Sequence, residues 1–91
     1  MPRFIIERNI PNLAEFTQEE KEASSRKSIE VAASMPGVVW IRSYVSDSEG
    51  KIYCEYDAPS AEAVLEHARR AGLPADKISE VSMEVSPEMF V

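Results

Sequence analysis

The chain has 91 residues, 44% of them hydrophobic and 29% charged, and its 16 acidic side chains outnumber 10 basic ones for a formal net charge of −6. That length holds one core, so residues 1–91 read as a single domain, and the mixture of apolar and charged residues is that of a globular protein and not a disordered tail. The acidic surplus argues against a nucleic-acid partner, which needs a basic face to neutralise phosphates.

A domain this small buries about two-thirds of its unfolded surface or less, so the monomer is expected to be marginally stable. A single Cys cannot close an internal disulfide, and nothing asks for an oxidising compartment. The opening stretch has only Phe4, Ile5 and Ile6 as an apolar run before a charge, unlike a signal peptide. No window approaches the length of a membrane span, so no membrane partner is expected and the expected location is cytoplasmic.

Arg3 to Arg8 reads as a short strand, with Phe4 and Ile6 on one side and Arg3, Ile5 and Glu7 on the other. Pro11 ends it. Thr17 followed by Glu20 is a capping box, and the helix it opens should run to about Ser34, before Pro36 and Gly37. Its inner stripe, Ser25, Ser28, Ile29, Ala32 and Met35, is small and polar, which suits a helix lying close on a sheet. The charges from Glu19 to Lys27 form a solvated face.

Val38 to Ser46 alternates, with Val39, Ile41 and Val45 expected on one face and Trp40, Arg42 and Tyr44 on the other. Asp47 to Gly50 is a hairpin turn with Gly where φ must be positive. Lys51 to Asp57 returns, with Ile52, Cys54 and Tyr56 opposed to Lys51, Tyr53, Glu55 and Asp57. Ser60 then caps a second helix that Gly72 and Pro74 stop, with Ala61, Val64, Leu65, Ala68 and Ala71 as its buried stripe. Ile78 to Ser86 reads as a last strand, Val81, Met83 and Val85 inward and Ser82 and Glu84 outward.

The order βαββαβ predicts an α+β domain of the ferredoxin-like kind: a four-stranded antiparallel sheet with two helices on one face. The other face is then left bare, and the alternation assigns it Glu7, Trp40, Arg42, Tyr44, Tyr53 and Glu55. Aromatic side chains left in water mark an interface or a ligand site. The economical arrangement is a homodimer whose bare faces meet around a polar cavity. Glu7, Glu55 and Glu84 either pair with Arg3, Arg42 and Lys51 across strands or, where unpaired, serve as cation ligands.

Cys54 and His67 are the remaining candidates. Cys54 points with Ile52 towards the helices, where a lone Cys ordinarily acts as a small hydrophobe. His67 stands at the edge of the second helix's buried stripe. One thiolate and one imidazole fall short of the three or four ligands a transition metal wants, so carboxylates or a second subunit would have to complete the set. Catalytic templates are absent: Ser43 has no neighbouring His in the sequence, and no glycine-rich phosphate loop or CxxC pair occurs.

Val39, Trp40 and Ile41 followed by Ser43, Tyr44 and Val45, then Lys51, Tyr53, Cys54, Tyr56 and the run Asp57 to Ser60, then the run Glu66 to Asp76 and Ile78, together resemble the DUF4242 family. These are small bacterial proteins often labelled nickel-binding or nickel-responsive, and the resemblance extends to the opening Met1 to Phe4 with Glu7 and Arg8. It implies a ferredoxin-like dimer that binds nickel or another divalent transition metal. The family commonly has His immediately before the Ser-Tyr pair, where this chain has Arg42; a guanidinium has no lone pair for a metal, repels a cation and favours an anion. The Cys54 and His67 positions match. The resemblance thus points to a small non-catalytic metal-binding protein with Cys54 and His67 as metal candidates. The alternative reading is a cofactor-free dimeric α/β-barrel enzyme, a monooxygenase or isomerase, holding an apolar or anionic small molecule against Trp40, Tyr44 and Tyr53.

Overall fold

In the computed structural model, which describes residues 1–91, β1 (Arg3–Asn9), α1 (Gln18–Ala33), β2 (Val39–Ser46), β3 (Lys51–Asp57), α2 (Ala61–Ala71) and β4 (Lys77–Val81) follow in that order. Single 3-10 turns at Leu13–Glu15 and Pro87–Phe90 lie outside this frame. Every strand pair is antiparallel and the sheet runs β2-β3-β1-β4, the ferredoxin-like order, with both helices on one face.

The helix ends form as their residues require. Thr17 Oγ1 accepts from the Glu20 amide at 3.1 Å while Glu20 Oε1 accepts from the Thr17 amide at 2.9 Å, which satisfies two N-terminal donors at once. Ser60 Oγ accepts from the Ala63 amide at 3.1 Å, and Gly72 closes α2 at φ 71°. The core gathers Phe4, Ile6, Val38, Cys54, Tyr56, Ala58 and Val64 between sheet and helices.

Three details differ from the strict alternation. The β2–β3 register pairs Trp40 with Tyr56 and Arg42 with Glu55, leaving Ile41 as a bulge. One extra residue reverses the parity of what precedes it. Trp40 therefore lies on the helix side, packed against the core, and Val39 on the bare side opposite Asp57. The expected bare-face position of Trp40 is corrected accordingly.

The second difference is the last strand, which ends at Val81 and not at Ser86. Its partner stops first: Arg3 pairs with Val81, and Pro2 before it has no N–H to donate to a longer ladder. The register also puts Ile78 opposite Ile6 on the helix side and Val81 opposite Arg3 on the bare side, while Met83 and Val85 are exposed. Third, α1 buries only Ser28, and Ile29 and Leu65, expected inside, are 54% and 55% exposed. His67 takes the inner place on α2 with Val64, Ala68 and Ala71.

Candidate functional site

The chemistry-bearing side chains divide between the two faces of the sheet. On the bare face, β1 contributes Arg3, Ile5 and Glu7, β2 contributes Arg42 and Tyr44, and β3 contributes Lys51, Tyr53, Glu55 and Asp57. Each carboxylate there has a cationic neighbour. Arg3 grips Asp57 through Nε and Nη2 at 3.0 and 3.3 Å, and that hydrogen bonding holds the Asp57 carboxyl below its usual range. Glu55 lies between two guanidiniums, Arg42 at 3.4 Å and Arg3 at 3.9 Å, with only 12% of its side chain exposed. Lys51 Nζ reaches Glu7 Oε2 at 3.5 Å, and the Glu7 charge raises the Lys51 pKa. Tyr44 stays 57% exposed, and no element covers it.

The helix face carries the other set. Trp40 Nε1–H donates to Ser43 Oγ at 2.9 Å, and Ser43 Oγ–H donates to Cys54 Sγ at 2.9 Å. Arg8 Nε also donates to Cys54 Sγ, at 3.5 Å. Arg8 follows Phe4 and Ile6 on the inward side of β1 and is 1% exposed. The alternation from Phe4 through Ile6 to Arg8 is itself the sequence signal for this buried cation, which a reading of β1 as a six-residue strand with only two inward residues passes over. These groups border a cleft of about 140 Å³ between α1 and the sheet, whose lining also includes Leu13 and Phe16.

Beside Arg8, the Tyr56 and His67 rings pack in a tilted arrangement, 5.0 Å apart at an angle of 58°. Burial pushes the Tyr56 phenol up to about 12, against the opposing pull of the Arg8 charge. Burial also lowers the His67 pKa, and Arg8 adds to the shift. His67 Nε2–H donates to the Ser28 carbonyl at 3.0 Å, tying α2 to α1 through a neutral imidazole. The native state therefore binds a proton at His67 less readily than the unfolded chain does. Its contribution to stability is intact above the ordinary imidazole value of 6.5 and is lost as pH falls from there through the lower folded value. Urea midpoints measured between neutral and mildly acidic pH should decline through that window, and His67→Gln should flatten the decline. An unchanged slope in the variant would contradict the assignment. The acid loss from Glu66, held at about 2 by Arg69 and Arg70, belongs to a separate and lower window.

As metal donors these residues are constrained. Nowhere in one chain do three or more His, Cys, Asp or Glu side chains come together as a metal would require. The structure buries both Cys54 and His67, but Cys54 sits under a guanidinium and the Nε2 of His67 is committed to a backbone carbonyl. Glu7 and Glu55 are engaged by Lys51, Arg3 and Arg42. A single chain does not present a donor set that fits a nickel ion.

A sheet with one face clad by helices and the other bare and lined with paired charges defines a ferredoxin-like α+β domain whose chemistry rests on its sheet surfaces. The model of the nickel-responsive SCO4226-like proteins matches residues 4–81, and the chain belongs to that family. The resemblance to the nickel-labelled DUF4242 proteins is consistent with it. Among solved structures, SCO4226 from Streptomyces coelicolor A3(2) is similar to this chain at 26% identity and TM-score 0.78, over 91% of this chain and 99% of its own. A putative antibiotic biosynthesis monooxygenase from Chloroflexus aurantiacus J-10-fl superposes loosely, at 16% identity and TM-score 0.49, over 93% of this chain and 94% of its own. No curated protein matches the chain. No helix is long and apolar enough to cross a membrane.

Proposed function

We propose that this protein is a small, non-catalytic homodimer that binds a divalent transition metal, nickel first, between the bare faces of two sheets. The observation that carries this reading is the family match over residues 4–81, to proteins described as nickel-responsive. Two features of the geometry support it. Glu7 and Glu55 are half-buried carboxylates on a face that leaves Tyr44 and Val39 exposed, as a dimer interface would. One chain gathers fewer than three donors, so the missing ligands would come from a second copy. Arg42 and Lys51 compete with any cation for these carboxylates, so a metal must displace ion pairs to bind.

Isothermal titration of chelator-stripped protein with nickel tests the proposal. Saturable heat is expected, with Glu55→Gln weakening it and Arg42→His strengthening it, because the latter exchanges a fixed charge for a neutral donor. If Cys54 and His67 hold the metal instead, His67→Ala abolishes the heat and Glu55→Gln leaves it. The absence of heat above buffer at tens of micromolar protein would sink the metal reading. A monomer by sedimentation velocity would remove the shared site.

A further inference from the structure

The cleft between α1 and the sheet holds a group that the bare-face reading does not use. Arg8 is 1% exposed, yet it takes part in none of the chain's ion pairs. Its Nε reaches Cys54 Sγ, its Nη1 donates to the Pro74 carbonyl at 2.6 Å, and its Nη2 is buried without a partner in good hydrogen-bonding geometry, the neutral Tyr56 hydroxyl being the nearest polar group to share the guanidinium. A buried guanidinium without an anion is costly, and an orphaned donor on it more so. Acidic residues outnumber basic ones in the chain, yet the lining of this cleft contains Arg8 and Lys21 and no Asp or Glu. Lys21 is itself engaged by Asp47 at 3.5 Å.

We infer that the cleft is a binding site for a small organic carboxylate with a ring-sized apolar body, its carboxylate compensating Arg8. The volume, about 140 Å³, is close to that of cavities that hold benzene, roughly 150 Å³. The walls suit such a body: Leu13, Phe16, Trp40 and Ile52 are apolar, and Ser24 and Ser28 on α1 are among the polar residues of the lining. A phosphate dianion needs more donors than one free guanidinium nitrogen and a few hydroxyls supply. A carboxylate carries a single charge to match Arg8 and can accept from the N–H groups of the one free nitrogen, Nη2. This site is independent of a metal held between the bare faces, since it lies on the opposite face of the sheet; it shares Cys54 with the Cys54–His67 alternative.

Trp40 is the chain's only Trp and lines the cleft, so its fluorescence reports occupancy directly. Titration of the wild-type protein with benzoate at neutral pH should change that fluorescence saturably and raise the thermal midpoint. Benzyl alcohol, of similar shape without the charge, should bind at least about tenfold more weakly, as loss of a charge-assisted hydrogen bond demands. Acetate, with the charge and no ring, should also be weak. In Arg8→Met the preference for benzoate over benzyl alcohol should disappear. The inference is overturned if benzoate gives no saturable change up to about 10 mM, a limit set by the weakest meaningful small-ligand affinities. It is equally overturned if benzyl alcohol binds as tightly as benzoate in the wild-type protein, an arm that holds even where Arg8→Met does not fold.

Discussion

Tyr56→Ala is expected to lower stability by about 3–5 kcal/mol, the range for truncating a buried aromatic ring, out of the ~5–15 kcal/mol that holds a small domain together. Tyr56 is 1% exposed and sits where the sheet, α2 and the cleft meet, its ring against His67 on one side and its backbone opposite Phe4 and Trp40 in the ladder. Removing it empties a place in a core cluster of seven buried residues. Tyr56→Phe keeps the ring and loses only the hydroxyl, so its cost should stay within about 1.5 kcal/mol. Urea unfolding followed by far-UV circular dichroism separates the two. Equal midpoints for Tyr56→Ala and Tyr56→Phe would show that the ring does not hold this part of the core together.

Gly50→Ala should be the second costly change, although it adds one methyl group in a surface hairpin. Gly50 has φ 65° and is buried, and its carbonyl accepts from the Ile10 amide at 2.7 Å, which ties the β2–β3 turn to the end of β1. A Cβ there would stand 2.9 Å from the Ile10 carbonyl oxygen and 3.3 Å from Pro11 Cα, both backbone atoms that cannot swing away. Left-handed backbone alone costs roughly 1–3 kcal/mol for a non-glycine residue, and the collision adds to it. Gly72→Ala is the informative comparison. Its φ is 71°, but the nearest atom is the mobile Lys27 Nζ at 3.5 Å, so it bears the backbone cost alone. Thermal midpoints should rank wild type above Gly72→Ala and Gly72→Ala above Gly50→Ala. A reversed order would mean that the contact with Ile10 yields more readily than backbone should.

Both variants test parts of the chain that were legible from residue patterns. The element order, the Thr17 and Ser60 caps, the Gly50 turn and the Gly72 stop follow from local chemistry, because caps and turns depend on residues within a few positions of each other. The inward placement of Cys54 and Tyr56 follows from the unbroken alternation of β3. The ion pairs of the bare face, Glu7 with Lys51 and Glu55 with Arg42, are likewise among the pairings that alternation allows.

What a pattern cannot carry is a change of parity or a limit set by a distant partner. The bulge at Ile41 is a property of how β2 fits β3, and by inserting one residue it moves Trp40 from the bare face to the core. The alternating apolar residues after Val81 look like strand, yet β4 stops where β1 has no further donor to offer. His67 reads as a boundary residue on a helical wheel and is buried because α1 brings its Ser28 carbonyl to it. Arg8 follows Ile6 on the inward side, a placement that a reading with only Phe4 and Ile6 inward passes over, and its lack of a counter-ion is decided by every element packed around it. The amino-acid sequence by itself thus determined the βαββαβ frame, its caps and its turns, since these rest on neighbours along the chain. Only the tertiary structure decided that Trp40 turns to the core and Val39 to the bare face, that β4 ends at Val81 and that Arg8 is buried without a counter-ion, because these depend on register and packing between segments far apart in sequence.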